Sequence, residues 1–249
     1  MRAARARAAT AFPAAHSARR DALWIAVAFV ALALWDRGGL DLAVARHFGT
    51  AQGFAWQHQW FMDGVMHRGL RAAGWLVFAW MVVGIWWPRG VMRDLAQRDR
   101  AGWVGTTALC AALIPLLKRA SATSCPWSLA EFGGGAGVYV PHWVIGQFDG
   151  GPGGCFPSGH ASTAFAFLAG WFWLRGRAPR AASAWLAATL VIGAALGAAQ
   201  LMRGAHYPSH ILWTGWICWA VTAASFHALR GGAAAGARDA PDEPPDPPG

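Results

Sequence analysis

Ala182–Met202 reads ASAWLAATLVIGAALGAAQLM, without a single charge, and runs straight into Arg203-Gly204-Ala205-His206-Tyr207-Pro208-Ser209-His210. An α-helix needs about 20 predominantly apolar residues to cross the hydrocarbon of a bilayer, so this stretch reads as a membrane span. The basic, histidine-bearing loop after it is where such a helix would leave the lipid. Five more apolar segments lie around it, at Ala22–Trp35, Leu70–Trp87, Ala101–Leu117, Ala161–Leu174 and Ser209–Leu229. The segments at Ala22 and Ala161 are short and must borrow flanking residues whose charges reach outward. The expected fold is therefore all-α: a polytopic membrane protein with a six-transmembrane helix bundle over residues 22–230. Residues 1–21 read as a cytoplasmic N-terminal segment, and 231–249, rich in Pro, Gly and acid, as a disordered C-terminal tail.

Composition supports lipid as the solvent. Of 249 residues, 55% belong to the apolar and aromatic set and 13% are charged, about half the charge of a soluble domain. A formal charge of +9 invites a nucleic-acid reading. However, all but one of the 21 basic residues are arginines scattered along the chain, with no compact basic face, so no nucleic-acid partner is expected. Their distribution reads as topology instead. With the N-terminus cytoplasmic, fourteen basic residues fall inside and seven outside, which places both termini inside. The rival reading, a cleaved leader with Ala31-Leu32-Ala33 as the cleavage site, would leave an odd number of spans.

Six alternating spans bring three polar clusters to one outer face. Lys118, the only lysine, closes the third segment with Arg119 beside it. Pro157-Ser158-Gly159-His160 opens the fourth, and Arg203 to His210 joins the fifth to the sixth. Lysine and arginines clamp phosphate, and free N–H groups at a helix start add an anion site. Two histidines from different helix ends can divide a displacement at phosphorus, one attacking while the other protonates the departing oxygen. His210, four positions after His206, is placed to orient it. In the outer stretch 36–69, His47, His58 and His67 read as solvated interface residues rather than ligands.

These clusters resemble the type 2 phosphatidic acid phosphatase (PAP2) superfamily, in its integral-membrane bacterial lipid-phosphatase branch. The family's motifs are a lysine, six residues, then Arg-Pro; Pro-Ser-Gly-His; and Ser-Arg, five residues, His, three residues, Asp. The second matches in full at Pro157–His160. The resemblance implies that His206 is the nucleophile, through a phosphohistidine, and His160 the general acid. It implies phosphate binding by Lys118, Ser158 and Gly159, with no cofactor and no metal. Three positions depart from the pattern. Cys125 stands where the first motif has arginine, Ala199-Gln200 where the third has Ser-Arg, and His210 where it has aspartate. Arg119 and Arg203 are the candidates to replace the missing guanidinium groups. The implied setting is a bacterial inner membrane with a periplasmic active site and a lipid phosphate as substrate. A lipid phosphotransferase, a zinc-dependent hydrolase using His206 and His210, and a non-catalytic phosphate-lipid binder or transporter remain the alternatives. Cys125 and Cys155 share the outer loop, where an oxidising compartment would join them in a disulfide; two free thiols are the other possibility.

Overall fold

The structure is a computed structural model that describes residues 14–236. The tail expected over 231–249 lies mostly outside the described residues, as do the first thirteen residues of the N-terminal segment. Helix α1 spans Ala14–Arg37, so it begins before the apolar run and carries Arg19 and Arg20 in its first turns. Gly39, at φ 64°, breaks it in the left-handed region open to glycine, and α2 (Leu40–Phe48) leaves at 66° to α1. A two-residue hairpin, β1 (Gly49–Thr50) and β2 (Gly53–Phe54), pairs Gly49 with Phe54. The chain then enters a nine-residue π-helix, Phe61–Gly69, that continues into α3 (Leu70–Val83).

Helix α4 (Gln97–Arg119) carries Pro115 in its last turns, where the missing N–H and the ring weaken the backbone ladder. A long loop follows. The next rod is assembled from α5 (Gly159–Phe165), a single 3₁₀ turn (Ala166–Leu168) and α6 (Ala169–Leu174). Then come α7 (Pro179–Met202), with proline in its first turn, and α8, which runs from Pro208 to Gly236 and so passes the Leu229 end expected from hydropathy. The apolar segments lie on helices, except that Leu70–Trp87 outruns α3 by its last four residues.

Close packing depends on small residues. Gly193 of α7 faces Phe165 so tightly that an added Cβ would lie 2.2 Å from the ring, and Gly197 meets Ile211 of α8 in the same way at 2.6 Å. Such contacts let α7 lie directly on α5 and α8, as helices do in lipid. The core comprises three layers. One holds Met81, Trp103 and Trp173; a middle one holds Cys110, Phe165 and Ile211; and an outer one holds Phe54, Phe132 and Tyr207. Large apolar side chains also face outward, among them Leu23, Trp24 and Val30 of α1, Trp75 and Leu76 of α3, and Val191 of α7. Water would penalise that surface; hydrocarbon would not.

Among the described residues, α4 and α7 are long and apolar enough to cross a membrane, and the bent α1–α2 pair makes a third if taken as one span. The other apolar helices miss that standard for visible reasons. Helix α3 is 14 residues long, α5 and α6 are divided by a 3₁₀ turn, and α8 dilutes its apolar residues with tryptophans and with Ser209, His210 and Thr214.

Candidate active site

Three helix ends and one loop build the site. Pro157, Ser158 and Gly159 start α5 beside the end of α4, where an added Cβ on Gly159 would sit 3.8 Å from the Lys118 Cδ. The start of α5 is pinned to α8: the Ser158 backbone N–H donates to Thr214 Oγ1 at 2.8 Å. Ser158 is wholly buried, and its hydroxyl accepts from the Ala161 N–H at 3.4 Å. It therefore serves as the helix N-cap, while its own hydrogen remains free to donate. A disulfide joins Cys125 to Cys155, tying the strand of loop after Lys118 to the strand before Pro157.

His206 and His210 flank the start of α8 and are almost completely buried. His210 Nδ1 lies 3.1 Å from the Cys155 carbonyl, which can only accept, so this nitrogen carries the proton. The sequence reading has His210 orienting His206. In the structure no hydrogen bond links the two rings, whose centroids lie 5.8 Å apart; His206 Nδ1 faces the Cys155 sulfur at 3.6 Å. Burial, reinforced by His210, Lys118 and His160, drives the His206 pKa well below the usual imidazole range. His160 is pushed down to about 3, first by burial and then by His67, Lys118, Arg203 and Arg71 around it. Its Nε2 is buried without a partner. The cluster is thus cationic around neutral imidazoles, the electrostatic counterpart of an anion.

Lys118, His160 and Arg71 line one cavity of about 250 Å³. Arg119 does not: as the residue after Lys118 it points elsewhere on α4, is exposed, and corrects the expectation that it would replace the arginine lost at Cys125. Arg203 is buried beside the site. Its guanidinium donates to Asp63 Oδ1 at 3.2 Å, the Gln57 carbonyl at 3.2 Å and His67 Nδ1 at 3.3 Å. His67 is the second correction. It packs its ring 3.8 Å from that of His160, and burial with Arg203 lowers its pKa, whereas His47 and His58 are exposed as expected. A π-helix delivers His67, and no apolar periodicity in the sequence announces one. The only available signal was its spacing, four positions before Arg71.

The metal alternative relied on His206, His210 and His160. The atoms that actually cluster within 4.8 Å are one nitrogen each of His206 and His210 and the sulfur of Cys155. That sulfur is half of a disulfide rather than a thiolate, which makes this a poor donor set.

At one end of the helical bundle His160, the start of α5 and two cations without carboxylate partners among the described residues, Lys118 and Arg71, line one cavity, with the buried His206 outside its lining. The sequence assigns the family: residues 101–231 match the model of the PAP2 superfamily, and the chain belongs to it. Activity on phosphate esters is what that membership implies. No curated protein matches the chain, and no solved structure matches it either.

Proposed function

We propose that the protein is a membrane lipid phosphatase that cleaves a phosphomonoester or pyrophosphate at the outer leaflet through a phosphohistidine. The observation that carries this reading is the shape of the cavity. It begins at Arg71, Lys118 and His160 and continues past Trp75, Phe78, Ala111, Pro115 and Phe167. A phosphate fits the charged end and an acyl or prenyl chain the apolar wall, the division that an amphiphile requires.

In this mechanism His206 Nδ1 faces the disulfide sulfur and Nε2 attacks phosphorus. The bond from phosphorus to the leaving oxygen breaks, and that oxygen takes a proton from His160. Water, deprotonated by His160, then attacks the phosphohistidine and releases inorganic phosphate. Lys118 and the N–H groups at Gly159 and His160 hold the oxygens on which charge builds. The substrate dianion supplies the counter-charge that raises His160 from its depressed value, so that protonation follows binding. The same reading has all six apolar helices crossing a bacterial inner membrane, with both termini cytoplasmic and the site periplasmic; the two-to-one distribution of basic residues supports it.

The test offers the full chain in detergent a set of lipid phosphates: phosphatidic acid, phosphatidylglycerophosphate, undecaprenyl pyrophosphate and lipid A. Released phosphate is measured beside His206→Ala and His160→Ala. Turnover that depends on both histidines supports the reading, and turnover indifferent to them overturns it. Label recovered on a second lipid rather than as free phosphate would assign a phosphotransferase instead.

A further inference from the structure

Arg71 and His67 belong to none of the three motifs, yet both reach the site. They sit four positions apart across the junction at which the π-helix Phe61–Gly69 passes into α3. A π-helix widens the backbone by one residue per turn, and such geometry recurs where a chain must aim side chains at a site. Below the junction, α3 is held hard against α5: a Cβ on Gly74 would meet the Thr163 methyl at 2.8 Å. That contact sets which face of α3 turns to the cavity, and Arg71, one turn above, lines the cavity with Lys118 and His160. Among the described residues neither Arg71 nor Lys118 forms an ion pair, although Arg46, Arg68, Arg175 and Arg203 do. His67 is fixed differently. Arginine can only donate, so its bond to Nδ1 leaves the His67 proton on Nε2, and the ring is held against His160.

We propose that this junction supplies two parts of the active site that the motifs lack: Arg71 binds the substrate phosphate, and His67 positions His160. Arg71 replaces the guanidinium absent at Cys125, a position engaged by the disulfide. His67 keeps the acid from turning away from the leaving oxygen, with Arg203 and Asp63 behind it.

This inference rests on the phosphatase reading, so binding and turnover are measured separately on the full chain in detergent. Arg71→Gln should weaken inorganic phosphate binding in titration calorimetry and raise KM about ten- to hundred-fold, the range for losing one charge-assisted hydrogen bond. Arg71→Lys should recover part of the loss, and Arg119→Gln should behave as wild type. His67→Asn should lower kcat about tenfold, with KM and phosphate affinity held. Both variants should move the alkaline limb of kcat/KM to higher pH, because a group that depresses His160 has gone; a merely structural role would not move it. Wild type that binds phosphate but cleaves no lipid sinks the phosphatase reading, while weaker phosphate binding by Arg71→Gln would still support the Arg71 assignment. Wild type that cleaves lipid, with Arg71→Gln matching it in KM and phosphate affinity, overturns that assignment. An unchanged kcat and pH profile in His67→Asn overturns the role of His67.

Discussion

The two ends of the bundle collect the same residue types and use them in opposite ways. At the end formed by the starts of α1, α4 and α7, charges are matched. Asp21, buried, receives Arg175 at 2.6 Å and His227 at 2.8 Å. Asp99, also buried, gathers Arg230 at 3.3 Å, Arg177 at 3.5 Å and Arg98 at 4.0 Å. These groups tie α1, α4, α6 and α8 together. At the other end the carboxylates are engaged away from Lys118 and Arg71: Asp63 pairs with Arg203 and Arg68. Asp41 accepts from Trp35, Tyr139 and Ser209, and Asp149 accepts from the Ser124 and Gly151 backbone and the Ser124 hydroxyl. Glu131 pairs with Arg46. Lys118 and Arg71 are left facing a cavity beside neutral histidines. Matched charges hold a fold; unmatched ones, kept at a cost in stability, wait for a ligand.

That contrast can be broken by experiment. The largest effect belongs to His206→Ala, which should lower turnover by at least about 10³-fold while leaving the unfolding temperature near wild type. A loss of folding equal to the loss of activity would show that the unmatched end is structural after all. Removing the disulfide with Cys125→Ala/Cys155→Ala opens a constraint across a sequence separation of 30 and should cost about 3.5 kcal/mol of stability. Activity should also fall, because the Cys155 carbonyl that holds His210 is released.

Asp21→Ala at the matched end should cost about 2–3 kcal/mol by stranding Arg175 and His227, with kcat preserved in the folded fraction. A drop in kcat there would mean that the two ends are coupled. A further effect is a pH slope. His160, His142 and His206 all have depressed native values, His160 about 3 and His142 about 4, each mainly through burial. The unfolded chain, with imidazoles near 6.5, binds more protons than the native one below that pH. Their contribution is therefore fully present above about pH 6.5 and is lost as pH falls toward the native values, by about 1.4 kcal/mol per unit for each histidine. Thermal unfolding across pH 4–7 reads the slope, and His160→Asn should flatten it; an unchanged slope would contradict a buried neutral His160.

Much of this was legible without coordinates. The six helix-forming segments follow from apolar runs, and the placing of Lys118, Ser158, His160 and His206 at helix ends from motif spacing, whereas Arg203, off the motif position, is engaged by Asp63. The disulfide partners were nominated by sharing one loop. What escaped notice shares a cause. His67 lies in a π-helix and Arg71 just past its junction with α3, a geometry with no hydrophobic signature, and each alone looks like an interfacial residue. Arg119 adjoins Lys118 in sequence, but neighbours on a helix diverge by about 100°. His142 of the long loop and Asp36 of α1 meet at 3.5 Å, with Phe156 stacked on the His142 ring and Trp213 donating to Asp36, only because the loop folds onto α1 and α8.

The amino-acid sequence alone determined the helical plan, the family and the motif residues, because hydrophobic runs and short spacings are local properties and act through neighbouring peptide units. Only the tertiary structure decided which cations face the cavity, which carboxylates neutralise others first, and that His67 stands against His160. Those outcomes depend on distances between groups remote in the chain. Burial and Coulomb interactions act on those distances whatever the sequence separation.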